Sequence, residues 1–229
     1  MTTARRRPPP DPTQPKAGER SREQLLQAAG EVFAEKGYDR ATSKEICERA
    51  RMNSASVNYH FGGFEQLYVE TLVHAHRRLV TIKVLKDIGA SDTSPDQKLR
   101  AYIALIVRRL AFPSTSWEMR LLSREIISPS LAREAFVESE ILPKLAVLRN
   151  IIAEFIGAEP DDPVVGRSTL TIVAPILILA VSHRGMFTTI VPDLAKAPEE
   201  IDPLIEHFER FIHAGLEAVA LQLRSERAA

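Results

Sequence analysis

Apolar residues recur along most of this chain at the 3.6-residue spacing of a helix buried on one side, and rarely alternate as in a half-buried strand. From Ser21 onward, Leu25, Ala29, Val32 and Phe33 keep that period, and Gly37 stands where a left-handed glycine ends a helix. Thr42-Ser43-Lys44-Glu45 predicts a capping box, with Thr42 capping and Glu45 reaching back, ahead of a short helix carrying Ile46 and Ala50. Asn53 is placed to cap a third helix from Ser54 to Phe61, which Gly62-Gly63 terminates. Three helices, the last two short and joined by a tight turn, make a helix-turn-helix layout.

The helical pattern continues beyond Phe64. Leu67, Thr71, His74, Leu79, Ile82 and Leu85 predict one long connecting helix. Pro95 opens the next, with a stripe of Leu99, Ile103, Ile106, Val107 and Leu110. Trp117 to Ile127 forms another, and Leu131 to Ile156 a long one kinked at Pro143 and ended by Gly157. An apolar helix from Asp162-Pro163 to about Thr189 contains Pro175, and a last helix starts near Pro198. The expected fold is all-α: a Pro/Arg-rich disordered arm over 1–20, a helix-turn-helix domain over 21–68, and a helical ligand-binding and dimerisation domain over 69–229.

Composition adds little until charge is mapped by position. Lys plus Arg equals Asp plus Glu, yet Met1 to Lys86 holds 15 basic against 10 acidic residues and the remainder 15 against 20. A front half at +5 on a rear half at −5 suggests that the front meets a polyanion. Arg5-Arg6-Arg7 in the arm either touches nucleic-acid backbone or minor groove or belongs to an inert tail. The single Cys47 excludes an intramolecular disulfide and reads as a small packing residue. The N-terminus lacks the apolar core of a secretory signal, and the apolar run Leu170 to Val181 falls short of a bilayer span, so a soluble cytoplasmic, nucleoid-associated protein is expected.

The candidate chemistry lies in Ser54-Ala55-Ser56-Val57-Asn58-Tyr59-His60-Phe61. Small residues at the start of such a helix permit close approach to a major groove, and amide, phenol and imidazole groups follow as donors. Asn58 can pair with adenine through both atoms of its amide. Val57 and Phe61, four apart, face back into a small core.

The segment Ser21 to Tyr68 resembles the N-terminal domain of TetR-type bacterial regulators, through Leu26/Ala29/Phe33, Gly37-Tyr38, Thr42-x-x-Glu45-Ile46, the aromatic-rich third helix, Glu65 and Leu67. Val57 to Gly63 with Leu67-Tyr68 is similar to the CecR-like subgroup, as are the stretch Glu138-Ser139-Glu140-Ile141-Leu142-Pro143 and the proline-containing apolar helix. The resemblance implies base contacts at Ser54, Ala55, Ser56 and Asn58, and phosphate contacts at Thr42, Ser43, Tyr59 and His60. Thr42 and Ser43 stand at a helix N-terminus, which attracts phosphate. Two residues depart from the pattern: Arg51 replaces the usual turn glycine, and Phe64 replaces a lysine that contacts phosphate. Losing that cation implies a salt dependence shallower by roughly one phosphate.

The resemblance also implies a homodimer joined through its last two helices, which places two reading helices on a pseudo-palindromic operator in double-stranded DNA. An effector pocket for an unidentified small molecule is expected among Phe112, Trp117, Met119, Arg124, His183, Met186 and Phe187, which combine soft apolar surface with a few polar groups. The implied function is a transcriptional regulator, a repressor released by its effector; a constitutive or partner-controlled DNA-binding protein is the alternative. No cofactor, metal or membrane partner is expected, since His60, His74 and His76 join no Cys or carboxylate cluster. The chain has no nucleophile elbow or phosphate-binding glycine loop, so no enzyme activity is expected.

Overall fold

The computed structural model describes residues 17–110, 116–181, 189 and 201–228, and among them no strand occurs. The helices are α1 (Ala17–Lys36), α2 (Ser43–Arg49), α3 (Ser56–Phe61), α4 (Phe64–Leu79), α5 (Ile82–Gly89) and α6 (Pro95–Leu110). They continue as α7 (Trp117–Ile127), α8 (Arg133–Phe136), a π-helical turn (Val137–Ile141), α9 (Leu142–Ile156), α10 (Pro163–Val181) and α11 (Asp202–Ala228).

The glycine stops behave as expected, with Gly37, Gly62 and Gly157 all at positive φ, 78°, 76° and 71°. Several boundaries differ from the sequence reading. The first helix already covers 17–20, where an arm was expected. The long connecting helix is broken: Val80 is extended, and the Thr81 hydroxyl caps α5 by accepting from the Val84 N–H at 3.4 Å. Three β-branched residues in a row, Val80-Thr81-Ile82, already weaken a helix there. Where a kink was foreseen at Pro143, the structure has a π turn over Val137–Ile141, just before the proline. Proline has no N–H for the carbonyl four residues back, and a widened turn absorbs the lost bond. The last helix begins at Asp202; Pro198, where it was expected to start, lies outside the described residues, as do the residues on either side of Thr189.

Two apolar clusters organise the chain. The first gathers Leu25, Ala29, Phe33, Ile46, Val57, Phe61, Leu67, Tyr68 and Leu72 with Trp117, Leu121, Leu122 and Phe136. It therefore does not end at Tyr68: α4 continues it to Ala75, and α7 and α8 close it from the C-terminal side. The second cluster joins α5, α6, α9, α10 and α11 through residues such as Leu85, Ile103, Leu148, Ile172 and Leu216. With Pro163 to Thr169 added to the run from Leu170, α10 reaches 19 residues with a mean hydropathy of 2.0, the length and composition of a membrane span. Its Val165, Ile172 and Ile176 pack in the second cluster, as in a core helix, which corrects the shorter run read from the sequence.

Candidate nucleic-acid interface

The reading head is assembled on α1. Arg49 of α2 donates to both carboxylate oxygens of Glu35 at 2.8 and 2.9 Å, and Lys36 pairs with Glu45 at 2.8 Å. The guanidinium hydrogen bond holds the Glu35 carboxyl below its usual range. The expected capping box is half made: Thr42 Oγ1 accepts from the Glu45 N–H at 3.2 Å, but the Glu45 carboxylate turns to Lys36 and Arg49. Thr42 is exposed and Ser43 half-buried at this end of α2.

The turn between α2 and α3 is tightened by Arg51, which takes the left-handed conformation (φ 55°) usually reserved for glycine. Its N–H donates to Glu48 O at 3.0 Å and the next N–H, of Met52, to Cys47 O at 2.8 Å. A side chain in that region costs roughly 1 kcal/mol. Arg51→Gly is therefore expected to raise the unfolding free energy by about that amount, read from a urea denaturation midpoint; an unchanged or lowered midpoint would contradict it.

Helix α3 starts two residues later than the sequence suggested, so Ser54 and Ala55 lie in the turn, both exposed. Its 3.6-residue period then sorts the side chains. Val57 and Phe61 are buried in the first cluster, as expected, while Asn58 and Tyr59 face out, Tyr59 at 84% exposure. Half-buried His60 meets the Tyr59 ring edge-on at 4.9 Å. Ser56 is a correction. It is only 7% exposed, and its hydroxyl donates to Asn53 Oδ1 at 2.9 Å, so it points into the head and not toward a groove. Asn53 consequently braces the start of α3 through its carbonyl and side chain without the helix cap expected of it. The outward face is thus Ser54, Ala55, Asn58 and Tyr59, flanked by Thr42, Ser43 and His60.

Phe64, which stands where a cation was expected, is absorbed by packing. Its ring lies 5.4 Å from both Phe33 and Tyr38, and Tyr68 completes the aromatic group. The Tyr68 hydroxyl donates to Glu125 Oε2 at 2.7 Å across to α7, and Glu125 also accepts from the Ser130 N–H and hydroxyl. Burial, then the Glu125 carboxylate, pushes the Tyr68 phenol far up, so it stays a donor.

Of the residues expected to line an effector pocket, Phe112, His183, Met186 and Phe187 lie outside the described residues. The indole of Trp117 lies against Gly30 of α1 and stacks on His74 of α4. Arg124 lies against Gly37 at the end of α1, and Met119 is buried. Trp117 and Arg124 therefore join α7 to the reading head, a role that only the contact between distant segments reveals. An open groove of about 850 Å³ runs along α1 beside Arg49, Arg51 and Arg78, and another of about 680 Å³ lies between α10 and α11. Among the described residues, Trp117, Met119 and Arg124 border neither one. His74 and His76 are buried or half-buried at helix contacts, not in a metal cluster, and among the described residues no group of three potential metal ligands occurs.

Residues 25–71 match the pattern of the tetR family of bacterial regulatory proteins, and residues 95–216 that of the C-terminal domain of the HTH-type transcriptional dual regulator CecR. The chain is 28% identical over 164 residues to CecR of Shigella flexneri, covering 63% of this chain and 69% of that one. It is also 28% identical over 88 residues to the HTH-type transcriptional repressor NicS of Pseudomonas putida, 38% of this chain and 41% of NicS. The match thus spans about two fifths of NicS. Among solved structures, the fatty acid degradation regulator FadR of Bacillus halodurans superimposes with a TM-score of 0.62 at 15% identity, over 84% of this chain and 98% of that one, a likeness of fold. These relatives are regulators, not enzymes. The chain belongs to the TetR family of bacterial regulatory proteins, within the group that carries the CecR-type C-terminal domain.

Proposed function

We propose that the protein is a DNA-binding transcriptional regulator that seats α3 in the major groove of a pseudo-palindromic operator as a homodimer, acts as a repressor in the cytoplasm on the nucleoid, and is released by a small molecule. The observation that carries this reading is the split of α3 into an inward apolar edge, Val57 and Phe61, and an outward polar one. A six-residue helix spends half its surface on Asn58, Tyr59 and His60 only if that surface meets another molecule. Ser54 and Ala55 bring the backbone close, Asn58 reads a base edge, and Thr42, Ser43, Tyr59 and His60 hold phosphates. Ser56 supports the turn from within.

The dimer is supported by α10 and α11. They leave Leu170, Ile178, Phe211 and Leu221 exposed, beside a groove that includes Pro175, Phe211 and Leu223. Covering that face with the same face of a second copy makes a four-helix contact and spaces two reading helices about 34 Å apart, one turn of DNA. Effector release rests on the family resemblance alone; a constitutive or partner-controlled DNA-binding protein stands as the other reading.

Selection from random duplexes tests the function. Purified protein is expected to enrich a pseudo-palindrome bound by two protomers. Asn58→Ala is expected to relax selectivity at one base pair by about tenfold, and Tyr59→Phe to weaken all sequences alike. Binding indifferent to sequence at physiological salt would refute the reading.

A further inference from the structure

Helix α4 belongs to both halves of the molecule. Leu67, Tyr68 and Leu72 are built into the core of the reading head, while α4 also packs on α8 and its last turn, through Arg77 and His76, bonds to the π turn and α9. The direction in which α4 leaves the body therefore sets where α3 is carried. At its end the structure holds a sealed polar cluster. Lys144 of α9 and Glu140 of the π turn are only 5% and 4% exposed. The Lys144 ammonium spends its three hydrogens on three acceptors: the Val80 carbonyl at the helix break (2.6 Å), His76 Nδ1 (2.7 Å) and the Glu140 carboxylate. Arg77 Nε adds a bond to the other Glu140 oxygen at 3.0 Å.

Such a cluster is a poor source of stability, because taking an ammonium and a carboxylate out of water costs much of what their attraction returns. Burial indeed lowers the Lys144 pKa despite the carboxylate beside it. What the cluster does supply is position: one side chain ties the Val80 carbonyl, just past the end of α4, to α9 and holds the break before α5. A π turn at the anchoring carboxylate fits, since such turns gather where a side chain must be re-aimed.

The bond to His76 makes this tie sensitive to protons. Lys144 donates, so Nδ1 must offer its lone pair, and His76 is neutral with its proton on Nε2. A proton taken up at Nδ1 removes that acceptor and sets two N–H groups against each other at 2.7 Å. The ammonium must then withdraw, and Glu140 Oε1, 3.5 Å from Nδ1, is placed to accept the new N–H. The charged groups facing His76 are Glu140, Lys144 and, on α4 itself, Arg77; α8 presents only the edge of Phe136. The charges near α1 and α7, Arg22, Glu23 and Glu118, act on His74.

We propose that Lys144, Glu140 and His76 form a positioning latch at the α4–α5 break that fixes the placement of the reading head, and that protonation of His76 releases it. The proposal rests on the DNA-binding reading for its consequence but not for its geometry, and the test separates the two. With a duplex obtained by selection at pH 7.5, affinity of the full chain is measured from pH 7.5 to 5.5. His76→Gln keeps an acceptor for Lys144 that cannot be protonated, and leaves the reading face unchanged. The wild type is expected to lose about tenfold more affinity than His76→Gln over this range, one pKa unit's worth of coupling. Equal losses would overturn the latch. If no duplex is enriched, DNA binding fails, and proton NMR of the free protein still decides the latch. Lys144→Met removes the facing cation and is expected to raise the His76 titration midpoint by about one unit, whereas an unmoved midpoint overturns the proposal.

Discussion

Gly30→Ala is expected to destabilise the protein by about 2 kcal/mol, although in an exposed helix the same change would stabilise by about 1 kcal/mol. Gly30 lies inside α1, where alanine is the better helix former. An added Cβ, however, would stand 2.2 Å from two ring carbons of Trp117. The indole has little room to retreat, because it is buried and its other neighbour is the His74 ring, parallel to it at 6.1 Å. Overpacking therefore outweighs helix propensity, and α1 and α7 must move apart. The measurement is a double-mutant cycle in urea with Trp117→Leu. Trp117→Leu alone leaves a cavity and destabilises, but in the Gly30→Ala background it makes room for the methyl group. The two changes should couple favourably by about 1 kcal/mol or more. Additive losses would show that Gly30 is needed for some reason other than the indole. Because α1 carries α2 and α3, weakened binding of a selected duplex should accompany the loss of stability.

That contact illustrates what the sequence could and could not disclose. Features fixed by neighbours along the chain were legible: the period of α1, the Thr42 cap, the glycine stops, and the inward pair Val57 and Phe61. Ser56 was not, because a small hydroxyl fits a groove contact or a buried bond to Asn53 equally well, and only the register of the helix start separates them. The shift of that start from Ser54 to Ser56 turns the residue inward. Phe64 shows the same limit: as an apolar residue in place of a cation it looked like a deficit, whereas the structure gives it Phe33 and Tyr38 to pack on. Trp117 and Arg124 carried the right composition for a pocket. Their glycine partners lie some ninety positions earlier, and no local pattern joins such residues. His76, Glu140 and Lys144 likewise sit on three elements that meet only in the folded chain.

Acid is expected to weaken the fold in two stages, the lower one by about 3 kcal/mol. Burial lowers the pKa of both His74 and His76, against the opposing pull of Glu23 and Glu140 respectively. The unfolded chain therefore takes up their protons first. Their contribution is complete above pH 6.5 and is lost as pH falls below that value toward their depressed folded pKa values. Glu140 acts lower. Burial pushes its carboxyl up, but hydrogen bonds from Lys144 and Arg77 and the Lys144 charge, joined by a bond from His76 once that imidazole is protonated, prevail and hold it at about 2, against an ordinary 4.5. Its contribution is present above pH 4.5 and disappears as pH falls from there toward 2, and at 4% exposure solvent screens little of it. Urea midpoints between pH 8 and 3 should decline first below 6.5 and more steeply below 4.5. His76→Gln should shrink the first stage. Glu140→Gln should flatten the second while lowering stability at pH 7, because Lys144 then stays buried without its counter-charge. A second stage that persists unchanged in Glu140→Gln would mean that other carboxylates carry it and that Glu140 is not held charged by Lys144 and Arg77.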